Sequence, residues 1–157
     1  MNTENKILQT EGVSEVTLIY KTKVNPKDRA VITSSRDAYQ ILFNSWNKNL
    51  IEYVEEFKVL LLNQSNRVLG IGYLSRGTTT GSLVDIKYIL QYAIKANACG
   101  LIIAHNHPSG NANPSSSDTT ITRKIKEACS YLDVSLLDHL ILFPVDGFYS
   151  FADEGTL

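Results

Sequence analysis

Apolar residues recur every three to four positions in three segments of the chain, which is the spacing of an amphipathic helix. This pattern predicts helices over residues 34–49, 82–98 and 115–132. Serines near the start of these segments are suitable N-caps, because their hydroxyl oxygens accept hydrogen bonds from the N–H groups of the first turn. We expect Ser35 to cap the first helix and Ser82 to cap the second.

Elsewhere the pattern changes to the alternation or the short apolar runs that are typical of β-strands. Two apolar runs on either side of the polar turn NQSN predict a β-hairpin over 56–75, and the run LIIA predicts a buried strand over 101–104. Further strands are predicted over 15–23, 134–143 and 148–153. Helices that alternate with strands in this order predict an α/β or α+β layered domain with one mixed sheet.

Composition narrows the class of protein. A chain of 157 residues with 43% hydrophobic and 20% charged residues fits one globular domain. A net charge of −1 and a pI of about 6.3 argue against direct DNA binding. The two cysteines lack Cys-x-x-Cys spacing, so we expect free, buried thiols. Together with the absence of a signal peptide or apolar span, this favours a cytoplasmic protein without a membrane anchor.

The loop AHNHPSGNANPSSSD, residues 104–118, carries the candidate chemistry. His105 and His107 follow the predicted buried strand, and residues two apart in an extended segment point to the same side. Asp118 falls in the first turn of the third helix, and the Pro, Gly and Asn residues between allow the chain to fold back. Two imidazoles and a carboxylate are the three protein ligands of a catalytic zinc site, in which water takes the fourth position.

A hydrolytic zinc site also needs a base, and the acids ahead of the hairpin are the candidates: Glu52, Glu55 and Glu56. Acids in such a position are more often solvated than catalytic. Other metal chemistries fit less well. A nucleobase deaminase needs His-x-Glu and Pro-Cys-x-x-Cys, and a zincin needs His-Glu-x-x-His on a helix. Neither pattern occurs in this chain.

The segment from His105 to Asp118 resembles the JAMM motif His-x-His-Pro-x6-Ser-x2-Asp of the JAB/MPN+ metalloprotease superfamily. The longer stretch IIAHNHPSGNANPSSSD is similar to its RadC-like branch. The resemblance runs over residues 31–157 and leaves 1–30 as a tail with the first strand. It implies a three-layer α-β-α domain with a curved mixed sheet, related to the cytidine deaminases. Longer RadC-like proteins carry helix-hairpin-helix DNA-binding repeats, for which this chain has no room, so we expect a standalone domain.

The same resemblance implies roles for individual residues. His105, His107 and Asp118 would bind one catalytic Zn²⁺ per chain. Glu55, with Glu56 as the alternative, would take the proton of a metal-activated water. The motif serine, Ser115, would stabilise the oxyanion of the intermediate.

The implied activity is that of a JAMM-type metallopeptidase, a hydrolase that cleaves an amide or isopeptide bond in a peptide or protein. The alternative is a non-catalytic factor in DNA repair or mobile-element processes that retains the metal-binding fold.

Five other polar residues near the site need an interpretation. Asp138 and His139 lie inside an apolar strand pattern, where an unpaired charge would be costly. We interpret the pair as a structural support, for instance one that orients a ligand imidazole, and direct catalysis is the alternative. We interpret Asn106, Ser109 and Asn113 as loop-forming residues that act through turn chemistry and not as metal ligands.

Overall fold

The computed structural model describes residues 14, 16–77 and 84–157 and has an α/β fold with one mixed five-stranded sheet. In chain order the elements are a 3-10 turn (Pro26–Asp28), α1 (Ser35–Ser45), β1 (Glu56–Leu62), β2 (Val68–Arg76), α2 (Ile86–Ala96), β3 (Gly100–Asn106), α3 (Ser116–Ser130), β4 (Ser135–Leu142) and β5 (Phe148–Ser150). Among the described residues, no helix is long and apolar enough to cross a membrane.

The strand order in the sheet is β2-β1-β3-β4-β5. β3 and β4 run parallel and are connected through α3, while the other neighbours are antiparallel. β3 therefore lies at the centre of the sheet, and all seven of its residues are buried. The carboxyl end of this central strand meets the amino end of α3, and that junction is where the histidine loop begins.

The sheet separates two hydrophobic cores, which gives the molecule three layers. On one face, α1 packs its buried residues, such as Leu42, against Leu60 of β1 and Ile102 of β3. On the other face, α2 and α3 pack against residues of the opposite parity, such as Ile103. We call these the α1 face and the α2/α3 face. The predicted three-layer α-β-α arrangement is confirmed.

The helices begin where a side chain can satisfy the first turn. Ser34, and not the predicted Ser35, caps α1, because Asp37 three residues later completes a reciprocal capping box with it. The second helix begins at Ile86 with Asp85 as its cap. The predicted cap Ser82 lies outside the described residues. Asp85 accepts from the N–H of Lys87, so the helix begins later than its apolar pattern indicates.

The predicted strand over 15–23 is wrong for residues 16–23, which have no regular secondary structure. Their alternating apolar residues bury little: Val16 is 86% exposed and Leu18 is 68% exposed. Alternation stabilises a strand only where one face is covered. The expectation of two buried thiols is half correct, since Cys129 is buried and Cys99 is exposed.

Candidate metal centre

The end of β3 presents polar side chains alternately to the two faces of the sheet. His105 pairs with Phe57 of β1 and shares the α2/α3 face with it, and the two rings are stacked with centroids 5.6 Å apart. Asn106, the last residue of the strand, points to the α1 face. His107 follows with the parity of His105, so both imidazoles lie on the side of the sheet where α3 begins.

These two histidines and Asp118 form the one group of metal-ligating side chains that the described residues contain, with potential ligand atoms all within 4.8 Å of one another. His105 Nε2 lies 3.3 Å from Asp118 Oδ1, and His107 Nε2 lies 3.5 Å from Asp118 Oδ2. The two Nε2 atoms are 3.1 Å apart. The three candidate ligands predicted from the sequence are therefore brought together, and the group could hold a metal ion.

Asp118 is held in place by the start of α3. Ser115 caps this helix, and its Oγ accepts from the Asp118 N–H. In return, the Ser115 N–H and hydroxyl both donate to Asp118 Oδ2, at 2.7 and 2.6 Å. The capping box thus turns Oδ1 towards His105. Ser115 positions the carboxylate in this geometry, and its predicted oxyanion role stays a prediction.

His107 is oriented by its own loop. Its Nδ1–H donates to the backbone carbonyl of Asn111 at 2.8 Å, so in the neutral ring the lone pair is on Nε2, beside Asp118. The hydrogen bond with Asp118 raises the pKa of His107, burial opposes this, and the charge of Glu55 adds to the increase. The ring therefore holds a proton at Nε2 over a wider pH range, and an ion at this position has to displace that proton.

The charge on Asp118 is favoured by the same contacts. Burial acts to raise its pKa, but the contacts with the imidazoles of His105 and His107 and with the Ser115 hydroxyl outweigh burial and hold the pKa well below its usual range. Only 14% of its side chain is exposed. A partly buried carboxylate that stays ionised is the form that binds a cation.

Asp138 and His139 differ in what they contact. The Asp138 carboxylate accepts from the His139 and Ala152 N–H groups and from the Ser150 hydroxyl. The ring of His139 is fully buried, and its Nε2 lies 2.8 Å from His105 Nδ1. Burial lowers the pKa of His139 well below its ordinary value, so the ring is neutral. The imidazole of the pair, and not its carboxylate, contacts the candidate ligand.

Asn106 is not the loop-forming residue that the sequence indicated. It is fully buried, and its Oδ1 accepts from Trp46 Nε1–H at 3.0 Å and from the Glu56 N–H at 2.8 Å. Its Nδ2 donates to the carbonyls of Ile51 and Val54, at 2.7 and 2.9 Å. Asn106 therefore fixes the segment that carries the candidate bases. The signal missed in the sequence was its position between His105 and His107. Because side chains alternate along a strand, Asn106 had to face the opposite, covered side of the sheet.

The two candidate bases lie on opposite sides of the sheet. Glu56 is buried in β1 with the parity of the α1 face, and its Oε1 accepts from Arg76 Nη2 at 2.7 Å and from the Tyr73 hydroxyl at 2.8 Å. Glu55 has the parity of Phe57, which stacks on His105, and its charge acts on His107. Glu55 is thus the acid on the side of the metal-ligating group, whereas Glu56 is engaged in an ion pair.

The third acid, Glu52, is exposed in the turn before β1. The turn carbonyls of Ile51 and Val54, on either side of it, are bound by Asn106. The structure therefore leaves Glu52 at the surface of a well-anchored segment.

Fold and site together define a class: an α/β domain of JAB type whose central strand ends in two histidines that meet an aspartate of the next helix. The model of the RadC-like JAB domain family matches residues 32–156. This chain therefore belongs to the RadC-like JAB domain family.

Curated relatives agree with this assignment. The UPF0758 protein of Flavobacterium johnsoniae is 39% identical over 163 residues, covering 96% of this chain and 69% of that protein. The UPF0758 protein of Porphyromonas gingivalis is 40% identical, covering 82% of this chain and 56% of that protein. That of Thermotoga maritima is 43% identical, covering 66% and 46%. The chain thus spans about half to two thirds of the length of these relatives.

Proposed function

We propose that this chain is a zinc-dependent hydrolase of the JAMM type, which cleaves an amide or isopeptide bond in a peptide or protein. One observation carries the proposal. Two imidazole Nε2 atoms and a carboxylate oxygen lie within 4.8 Å of one another at the end of the central strand, with Glu55 on the same side.

The donor set suits the proposed ion. Nitrogen from two histidines and oxygen from one aspartate form a three-ligand catalytic zinc set, which leaves one position open. The ligands are pre-oriented by protein contacts, through Asn111 for His107 and through Ser115 for Asp118. When bound, Zn²⁺ supplies Lewis-acid polarisation of a carbonyl and a water whose pKa is lowered to about 7.

Glu55 is the residue that we assign to proton transfer. It is half-buried, its charge acts on His107, and its backbone carbonyl accepts from the Gly77 N–H at 2.8 Å, which joins the segment to the end of β2. A carboxylate there can take a proton from water and return it to the leaving amine. Glu56 remains the alternative base, but its carboxylate already neutralises Arg76.

For the partner, we propose a peptide or protein rather than DNA, because the net charge of −1 offers no general attraction for phosphate. This assignment concerns the domain that the chain represents. The proposal does not draw on the segments by which the relatives are longer than this chain.

The test combines metal content with activity. Protein purified without chelators is analysed for bound metals by mass spectrometry and then screened against peptide and isopeptide substrates. Glu55→Gln is compared with Glu52→Gln, a matched substitution at an exposed acid of the same segment. We expect about one zinc per chain in all three proteins and a ~10²–10⁴-fold loss of rate in Glu55→Gln alone, the usual contribution of a general base.

Three results would overturn the proposal in different ways. Failure of the wild-type chain to bind added Zn²⁺ removes the metal centre. Zinc binding with equal rates in the two variants removes Glu55 as the base, and zinc binding without any hydrolysis leaves the non-catalytic factor.

A further inference from the structure

His139 lies between a candidate ligand and a side chain of α3. Its Nε2 is 2.8 Å from His105 Nδ1, and its Nδ1 is 2.6 Å from Thr122 Oγ1. Its ring is stacked on Phe151 with centroids 4.8 Å apart and 9° between the planes. A neutral imidazole has one N–H group and one lone pair, so these two hydrogen bonds have a defined direction.

The Thr122 hydroxyl sets that direction. Its Oγ1 lies 2.5 Å from the backbone carbonyl oxygen of Asp118, which can only accept, so the hydroxyl proton is donated there. The Thr122 oxygen must then accept from His139 Nδ1–H. It follows that His139 Nε2 accepts from His105 Nδ1–H and that the lone pair of His105 is on Nε2, 3.3 Å from Asp118 Oδ1.

We propose that Thr122 and His139 are positioning residues that fix the tautomer of His105, so that its Nε2 is always free to bind the metal ion. The inference rests on the proposed function, because the tautomer matters to a ligand and not to a core histidine. In the opposite tautomer a proton on His105 Nε2 would occupy the space between His105, His107 and Asp118, where the ion is proposed to bind.

A local change of register in the sheet places His139 in contact with His105. Leu101 of β3 pairs with Leu136, whereas the next residue, Ile102, pairs with Asp138, so β4 has one residue more than β3 at this point. An extra residue moves the side chains that follow it to the opposite face of the sheet. His139 consequently joins His105 on the α2/α3 face.

Asp138 stabilises this shifted segment. One of its carboxylate oxygens accepts from its neighbour's N–H at 2.7 Å and from the Ala152 N–H at 3.0 Å, and the other accepts from the Ser150 hydroxyl at 2.6 Å. A buried carboxylate with three donors holds the backbone of His139 and ties β4 to the end of β5. The sequence pair Asp138–His139 thus has two distinct tasks, one on the backbone and one on the ligand.

The test reads the tautomers directly. The chain has three histidines, so a ¹⁵N-histidine-labelled sample without an affinity tag gives three rings in a long-range ¹H–¹⁵N spectrum. The metal-free protein is measured about two pH units above the ordinary histidine pKa. We expect His105 and His139 to be protonated at Nδ1 in the wild-type chain and in Thr122→Ser, which keeps the hydroxyl. Thr122→Val should show a mixture at both rings.

Zinc affinity is the second readout, measured by competition with a chromophoric chelator. His139→Phe keeps the stacking on Phe151 but removes both ring nitrogens, and we expect about 10–100-fold weaker binding, as for other partners of ligating histidines. His139→Gln keeps an acceptor near the Nε2 position and should lose less. If His139→Phe fails to fold, Thr122→Val tests the same relay, by which we mean the two hydrogen bonds that join His139 to Thr122 and to His105.

The outcomes separate this inference from the proposed function. His105 protonated at Nε2 in the wild-type chain, or equal tautomers and zinc affinity in Thr122→Val and Thr122→Ser, would refute the relay. A wild-type chain that binds no Zn²⁺ refutes the metal centre instead, and the tautomers of the metal-free rings still decide the hydrogen-bond direction. Weaker zinc binding without a change in tautomer would assign His139 to packing alone.

Discussion

The two faces of the sheet use neighbouring residues of β3 in opposite ways. On the α1 face, Asn106 uses its full hydrogen-bonding capacity within the protein: its side-chain oxygen accepts two hydrogen bonds and its NH2 group donates two. On the α2/α3 face, His105 and His107 each commit one ring nitrogen to the protein and leave the other facing Asp118. A fully satisfied polar group specifies structure, whereas an oriented lone pair is available for a ligand.

The energetic consequences should differ in the same way. Removal of a saturated group leaves several buried partners without hydrogen bonds, which costs stability. Removal of a partly exposed imidazole that has one hydrogen bond to the protein leaves fewer such groups, because the partner that we propose for its second nitrogen is an ion. Substitutions on the two faces should therefore separate stability from metal binding.

The largest effect is expected for Asn106→Ala. It leaves the Trp46 indole N–H, the Glu56 N–H and two backbone carbonyls without their partner, and we expect a loss of about 4 kcal/mol, given ~1–3 kcal/mol for each orphaned group and incomplete additivity. Urea unfolding of the metal-free protein measures it. Asn113→Ala, at an exposed asparagine of the histidine loop, is the control and should change stability by less than ~0.5 kcal/mol. Comparable losses in both would contradict the anchoring role.

His107→Ala should weaken zinc binding and leave the stability of the metal-free chain almost unchanged. We expect Zn²⁺ affinity to fall by more than the ~100-fold typical of an outer partner, because a direct donor is lost. The unfolding free energy of the metal-free chain should stay within about 1 kcal/mol of wild type, as expected for a partly exposed residue. Isothermal titration and urea unfolding give the two values, with Ser109→Ala in the same loop as control. Unchanged zinc affinity would place the ion elsewhere.

A smaller effect is expected for Trp46→Phe. The substitution removes one hydrogen bond to Asn106 and weakens the contact with Lys58 Nζ, which lies 4.1 Å from the indole centroid. We expect a loss of about 1–2 kcal/mol in thermal or urea unfolding followed by circular dichroism. Tyr53→Phe, at a residue 70% exposed, should be neutral. Zinc affinity should not change, and a parallel loss would mean that the two faces are coupled.

The smallest effect is a pH dependence at Asp138, whose pKa is raised by burial. Between its unfolded pKa and the raised folded value, the folded chain binds more protons than the unfolded chain. The contribution of Asp138 to stability therefore falls as pH rises through this window, by at most ~1.4 kcal/mol per pH unit. Asp138→Asn keeps an oxygen for the two backbone N–H groups, places a donating NH2 group against the Ser150 hydroxyl, and cannot titrate.

Urea unfolding of wild type and Asp138→Asn across this acidic window measures the difference between them. A difference that grows in favour of wild type as pH rises would contradict the assignment.

Much of the fold could be predicted from the pattern of apolar residues. The three helices and the hairpin follow from local periodicity, and the central strand follows from an uninterrupted apolar run. The strand over 15–23 could not be excluded in this way. Alternation shows that a segment could bury one side as a strand, but it does not show that the folded chain offers a surface to cover that side. The exact first residues of α1 and α2 depended on the capping acids Asp37 and Asp85, about which the spacing of apolar residues gives no information.

The sequence by itself determined the candidate metal-ligating group. His105 and His107 share a parity at the end of a buried strand, and Asp118 opens the next helix, so chain connectivity is sufficient to bring them near one another. The tertiary structure decided what surrounds that group. The register of β1 on β3 pairs Phe57 with His105 and so decides that Glu55, and not Glu56, has the parity of the histidine face, and the extra residue in β4 turns His139 towards His105. Pairing between strands that are distant in sequence fixes these orientations, because a register shift of one residue turns every side chain of a strand to the other face of the sheet.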